Sequence, residues 1–494
     1  MFDQKTYINR RHRLKQQLGS GIVLFPGHDE SPINFADNTY PFRQDSSFLY
    51  FFGHNLPGLT GVLDIDKNDD YLFGNDAGID EMVWTGYQHP VSELAQMVGI
   101  KKTGSLAELE SFMKTAFSSR KDFSPARNSP SCNKFSPARE LSSCNNFSPA
   151  RELSSGNTIH FLPPYRAQTH LKLLRWSAFS SIAILPSTEL VKAVIAQRQI
   201  KTDQEIIQIE QAINITVDMH IDAMQMAKPG IKERHVIAAL YSKAHDAGVS
   251  MSFTPIATTQ GETLHNHFYG NTLEPGDLFL LDSGVENAMH YAADLSSTFP
   301  VNGTFTSMQK DIYSITLDAH EAAIAAIKPG VAFKDVHFKA CGAIVSGLKN
   351  LGLMKADLDD AVLSGAHALF FPCGTGHMMG LDVHDMEDLG ETYVGYDGEA
   401  KSTQFGLKSL RLGKVLKPGF VLTIEPGIYF IPALIEKWRT EKKFADFINY
   451  AALDSYLAFG GIRNEEDYLI TETGARLLGK PKPKTIADIE NLKK

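Results

Sequence analysis

The feature that most constrains the fold is a phrase that occurs twice. In LEPGDLFLLDSG, Asp282 lies seven residues after Pro275; in LKPGFVLTIEPG, Glu425 lies seven residues after Pro418. Each is a Pro-Gly turn, then an apolar run of strand length, then a carboxylate. A second echo is Lys228-Pro229-Gly230 and Lys328-Pro329-Gly330, one hundred residues apart. Each closes a stretch with helical spacing and opens a segment that ends as a helix near Gly248 or Gly352. The two echoes predict an internal duplication, with related halves each carrying a strand-borne acid toward a shared centre. A carboxylate buried on an apolar strand is costly unless something neutralises it, so the shared centre needs a counter-charge.

At 494 residues the chain exceeds what one core usually fills, which predicts two domains. Residues 1–118 alternate strand and helix signals and read as an α/β domain. GIVLFPG and GVLDIDKNDDYLFGN are apolar runs bounded by turn residues, with helical segments over Tyr7–Leu18 and Val91–Met97. The pattern then breaks into FSPARNSPSCNK, FSPARELSSCNN and FSPARELSSGNT, starting at 123, 135 and 147, a tandem repeat of period 12. So short a unit, rich in Ser, Pro and Asn, has little to bury, and 121–157 reads as a low-complexity insertion. The first domain is expected over 1–195 and the second over 196–485. The second opens with Thr202 and Glu205 at capping-box spacing, followed by Ile206, Ile209, Ile213 and Val217 at helical intervals.

A hydrophobic fraction of 43% and a charged fraction of 21% describe an ordinary globular chain. A formal charge of −9 supplies no basic excess for non-specific nucleic-acid binding. No apolar stretch approaches the roughly 20 residues that span a bilayer, and the polar amino terminus lacks a signal-peptide core. The four cysteines, Cys132, Cys144, Cys341 and Cys373, are too few and scattered for a disulfide framework. A soluble protein of the reducing cytoplasm is expected, with no nucleic-acid or membrane partner.

Five ligand-type residues stand in five distinctive segments: Asp282 in LLDSG, Asp294 in AADLSSTFP, His377 in GTGHMMGLDVHD, Glu425 in TIEPGIYF and Glu465 in GIRNEED. Taken singly, each has a plainer explanation. Asp282 is a strand-end cap, Asp294 returns past a hairpin turn around Glu286–Ala288, and adjacent acids such as Glu465 and Glu466 usually form a solvated edge. Together, four carboxylates and one imidazole can hold two divalent cations, which activate water for a metal-dependent hydrolase.

These segments, in this order, resemble the pita-bread metallopeptidases, specifically their aminopeptidase P and prolidase branch. The likeness spans nearly the whole chain apart from 121–157. FRQDSSFLYFFG and YINRRHRL resemble the amino-terminal domain of aminopeptidase P, which short methionine aminopeptidases lack. The resemblance implies an α/β amino-terminal domain and an α+β pita-bread catalytic domain with pseudo-two-fold duplication. It carries the metal-ligand order Asp, Asp, His, Glu, Glu onto Asp282, Asp294, His377, Glu425 and Glu465. Asp282 and Glu465 would bridge two metals, Asp294 completing one site and His377 with Glu425 the other. Mn²⁺ is favoured by the hard oxygens, with Zn²⁺, Co²⁺ or Fe²⁺ as alternatives. His265, His384 and Arg463 fall on the substrate side. His384 would stabilise the oxyanion, and Glu425 would shuttle a proton to the leaving nitrogen. The implied activity is release of an N-terminal residue ahead of proline, in a homo-oligomer, dimer or tetramer. The alternatives are a dipeptidase restricted to Xaa-Pro, and a metal-free or inactive binding protein. Two departures stand out: Cys373 occupies a position where many relatives carry histidine, and Asn464 replaces a commonly apolar residue.

Overall fold

The computed structural model describes residues 1–118, 158–178, 185–355 and 357–494, so the insertion read over 121–157 lies outside the described residues. The chain forms two compact units, Met1–Val194 and Ile195–Lys494.

In the first unit, helix α1 (Gln4–Leu18) precedes strands β1 (Ile22–Pro26), β2 (Thr60–Asp64), β3 (Asp69–Phe73), β4 (Lys102–Gly104) and β5 (Ile159–Phe161). They make one mixed sheet in the order β4-β3-β2-β1-β5. β1 is antiparallel to β2 and parallel to β5. The core packs Leu24, Val62 and Phe73 of the sheet against Met113, Leu173 and Trp176 of covering helices. In FRQDSSFLYFFG, Asp45 accepts the Phe48 amide at 2.8 Å and caps the Ser46–Phe52 helix. Gly53 ends that helix at φ +73°, where a β-carbon would strike the Tyr7 ring.

The second unit is built twice from one plan. The first copy runs α2 (Asp203–Met226), α3 (Glu233–Asp246), β6 (Ile256–Thr258), β7 (Leu278–Ser283) and β8 (Leu295–Pro300). The second runs α4 (Ser307–Ala326), α5 (Phe333–Asn350), β9 (Val421–Ile424), β10 (Gly427–Tyr429), β11 (Gly461–Arg463), β12 (Glu466–Ile470) and β13 (Ala475–Leu477). Sheet orders are β8-β7-β6, β9-β12-β13 and β10-β11. α2 starts on the expected capping box of Thr202 and Glu205 and buries Ile206, Ile209, Ile213 and Val217.

The duplication is visible in individual hydrogen bonds. Gly230, at φ +89°, donates to the Leu273 carbonyl at 2.9 Å, and Leu273 returns an amide to Ile231 at 2.8 Å. Gly330, at φ +85°, donates to Leu416 at 3.0 Å, and Leu416 returns to Val331 at 2.8 Å. His220 of α2 and His320 of α4, one hundred residues apart, are both fully buried. The turn between β7 and β8 falls at Asn287–His290, slightly beyond the predicted Glu286–Ala288. The Asn287 side chain fixes it there by accepting the Met289 amide at 2.9 Å. Among the described residues, no helix is long and apolar enough to cross a membrane.

Candidate metal centre

Strand register explains how the acids meet. β7 pairs antiparallel with β8 so that Asp282 lies opposite Ser296. Asp294, two residues before Ser296, falls on the same face by strand alternation. In the second copy Ile424 lies opposite Glu466, so the next pair outward is Glu425 and Glu465. The copies are stitched together through Glu465. Its amide donates to the Ser296 carbonyl at 3.1 Å, and its Oε2 accepts from Ser296 Oγ at 2.8 Å.

His377 enters from the Gly-rich segment before β9. Its amide donates to Thr423 Oγ1 at 3.2 Å, and the Glu425 amide donates to the Thr375 carbonyl at 2.7 Å. The His377 ring bonds the Met378 carbonyl through Nδ1 at 3.1 Å, which turns Nε2 toward Asp294 Oδ2 at 3.4 Å and Glu425 Oε1 at 3.5 Å. Donor atoms of Asp294, His377 and Glu465 lie within 4.8 Å of one another. Arg463 sits beneath the cluster, 4% exposed. Its Nε donates to Ser296 Oγ at 2.9 Å, Nη1 to the Tyr429 hydroxyl at 2.8 Å and Nη2 to Asp282 Oδ2 at 2.5 Å.

The electrostatics call for cations. Burial, then the charges of Asp282, Asp467 and Glu425, pushes the Asp294 carboxyl well above the ordinary range. Burial and the neighbouring Asp294 and Glu425 do the same to Glu465. Burial also raises Glu425, against the pull of His377 and Arg463. Burial lowers the basicity of His377, which leaves a neutral imidazole with a lone pair to offer. Asp282 Oδ1 and Asp294 Oδ1 are buried without a hydrogen-bond partner. Crowded carboxylates with orphaned oxygens and one neutral imidazole fit the donor set of divalent cations.

His384 lies beside His377, ring centroids 4.3 Å apart, and donates through Nδ1 to Glu387 Oε2 at 2.5 Å. Burial, aided by His377, holds its pKa down to about 4. Glu387 is a residue the sequence did not single out. Burial alone would raise its carboxyl, but His384 and Arg411 outweigh it and hold it at about 2. His377, His384, Glu387 and Arg411 line one cleft. Its floor is pinned by Asp385, whose buried carboxylate pairs with Arg198 and Lys201, each at 2.7 Å. His265 is exposed, within electrostatic reach of Arg463 and Asp282. Arg463, expected on the substrate side, has a protein partner at each guanidinium nitrogen. Asp467 was also missed. Its Oδ2 accepts the Asp294 amide at 3.3 Å. Cys373 is half-buried behind Glu425, its thiol pushed up to about 12 by burial and then by that carboxylate.

Residues 207–472 match the model of metallopeptidase family M24, and residues 7–123 match the aminopeptidase P N-terminal domain. The Xaa-Pro dipeptidase of Homo sapiens is 29% identical over 485 residues, covering 96% of this chain and 88% of the relative. A probable Xaa-Pro aminopeptidase of Coccidioides posadasii is 28% identical, covering 92% and 89%. The structure of proline aminopeptidase P II from Yersinia pestis superposes with a TM-score of 0.78 at 25% identity, covering 100% of this chain and 99% of that one.

Proposed function

Because the chain belongs to metallopeptidase family M24, we propose that it hydrolyses the bond between an N-terminal residue and a following proline. The observation that carries the chemistry is the convergence of Asp294, His377 and Glu465 in a buried acid cluster. The proline preference rests on relatives named Xaa-Pro aminopeptidase and Xaa-Pro dipeptidase.

Asp282, Asp294, His377, Glu425 and Glu465 would hold two divalent cations, with Mn²⁺ favoured by the oxygen-rich donor set. When bound, such cations polarise the scissile carbonyl and make water a nucleophile at neutral pH. The chain's own residues do the rest. Arg463 fixes Asp282 Oδ2, and Ser296 fixes Glu465 Oε2, so two ligands are oriented before any cation arrives. Glu425, as a carboxylate, would take a proton from the attacking water and pass it to the leaving nitrogen. That transfer is required because an amide nitrogen leaves as a neutral amine only once it has gained a proton. His384 spends its Nδ1 proton on Glu387, which leaves Nε2 as an acceptor until it is protonated. It would donate to the oxyanion only as the imidazolium, a form that burial opposes and that the developing negative charge and Glu387 would favour. His265 is assigned to the substrate side.

A second reading is an Xaa-Pro dipeptidase, the name carried by the human relative at 29% identity. The test is hydrolysis of an Xaa-Pro dipeptide beside an Xaa-Pro-Yaa tripeptide by metal-stripped protein resupplied with Mn²⁺. Cleavage of the tripeptide at its first bond establishes the aminopeptidase, and cleavage of the dipeptide alone makes it a dipeptidase. Failure on both with Mn²⁺, Co²⁺ and Zn²⁺ refutes the proposal. Sedimentation of the purified protein tests the dimer or tetramer implied by the resemblance.

A further inference from the structure

A second group of metal-ligating side chains lies apart from the acid cluster. α5 carries His337 and Cys341, four residues apart and therefore on one face of the helix. Both are fully buried, with His337 Nε2 3.4 Å from Cys341 Sγ. His367 joins them from the short turn Ala366–Leu369. Donor atoms of all three lie within 4.8 Å of one another. Around a tetrahedral zinc, an imidazole nitrogen and a thiolate sulfur stand about 3.5 Å apart, given bond lengths of about 2.0 and 2.3 Å. The His337–Cys341 pair is already at that separation.

Two further observations point to a ligand. His337 Nδ1 bonds Thr375 Oγ1 at 2.8 Å, the outer hydrogen bond that commonly fixes a metal-ligating imidazole and aims its other nitrogen. His367 is 2% exposed, and neither of its ring nitrogens has a hydrogen-bond partner. The Ala361 and Val362 carbonyls favour its protonated form, yet neither meets it in hydrogen-bonding geometry. Leaving buried nitrogens unsatisfied is costly, and an apolar side chain of the same volume would avoid that cost. Burial holds His337 at about 3 and His367 at about 4, so both imidazoles are neutral at pH 7 with lone pairs available.

We propose that His337, Cys341 and His367 form a second, buried site for one thiophilic divalent cation of the Zn²⁺ class. Binding replaces the Cys341 S–H bond with a metal–thiolate bond and releases that proton to solvent. The cation ties α5 to the segment that leads through Thr375 to His377, so it braces the loop beside the acid cluster. The site stands whether or not the peptidase reading holds, because its ligands are separate from the five acid-cluster residues.

The test uses the full chain with Cys132, Cys144 and Cys373 replaced by alanine, leaving Cys341 as the single thiol of the four. It is produced in medium supplied with Co²⁺, whose bond to thiolate gives a near-ultraviolet charge-transfer absorption. Carboxylate and imidazole ligands of the acid cluster give no such band. The expected result is this band, unchanged by Asp294→Asn and lost in both Cys341→Ser and His367→Phe. Retained Co²⁺ should fall by one ion per chain in those two variants. His367→Phe refills the pocket with an apolar ring, so folding checked by circular dichroism should survive even where Cys341→Ser does not fold. Absence of the band in the parent, or its persistence in His367→Phe, overturns the proposal.

Discussion

Replacing Arg463 with methionine keeps much of its aliphatic volume while removing the charge beneath the acid cluster. The guanidinium is buried and bonds Ser296 Oγ, the Tyr429 hydroxyl and Asp282 Oδ2 at 2.9, 2.8 and 2.5 Å. Deleting one partner of such a pair leaves a buried carboxylate uncompensated, which costs about 3–5 kcal/mol. The orphaned Tyr429 hydroxyl falls within the same figure, because the three bonds form one network and do not add. For a unit of this size each kcal/mol moves the thermal midpoint by about 2 °C, so Arg463→Met should lower it by about 6–10 °C in metal-free protein. Divalent cations held as proposed would supply counter-charge to Asp282, so the loss should shrink when they are bound. The assay is thermal unfolding of wild type and variant, each with chelator and with saturating Mn²⁺. An equal loss in both conditions, or a metal-free loss below about 1 kcal/mol, would refute the idea that Arg463 and the cations neutralise the same carboxylates.

Three other outcomes are expected. Asp282→Asn should fold normally, by circular dichroism, yet lose peptidase rate by at least about 100-fold, because a carboxylate proposed to touch the cations directly should matter more than the outer partners whose loss costs ~10–100-fold. His220 is buried and neutral, its pKa held down to about 3 by burial and then by Lys482, while its ordinary value is 6.5. Its stabilising share is therefore whole above pH 6.5 and is lost as pH falls toward 3, reaching about 2 kcal/mol at pH 5. His220→Gln should flatten the stability difference between pH 7 and 5 by that amount in denaturant titrations; an unchanged difference would mean that His220 is not the group being protonated. Deleting residues 121–157 should leave kcat/KM within twofold of the full chain, and a collapse of activity would show that the repeats take part.

Much of this protein was legible one segment at a time. The capping box at Thr202 and Glu205, the helix stops before the two Lys-Pro-Gly turns and the apolar strand ahead of Asp282 are local. Each is decided by neighbours within a few residues, through helical spacing, the fixed φ of proline and the freedom of glycine. The duplication was legible for the same reason, since a local device used twice leaves two copies of its wording. Asp282 and Glu425 stood out as candidates for a buried centre, because an acid on an apolar strand announces a cost that something must meet.

What the residues do to one another was decided only by packing. Nothing local says that Arg463 reaches Asp282 across 181 positions, or that Ser296 joins Glu465 across 169. Glu387 looked like one acid among many until folding placed it against His384 and Arg411. His367 read as an unremarked histidine until burial took away its partners. The physical reason is range. Backbone preference acts over one or two turns of chain, whereas pKa, charge compensation and metal affinity depend on through-space distances of a few ångströms, which exist only once the two copies have closed on each other.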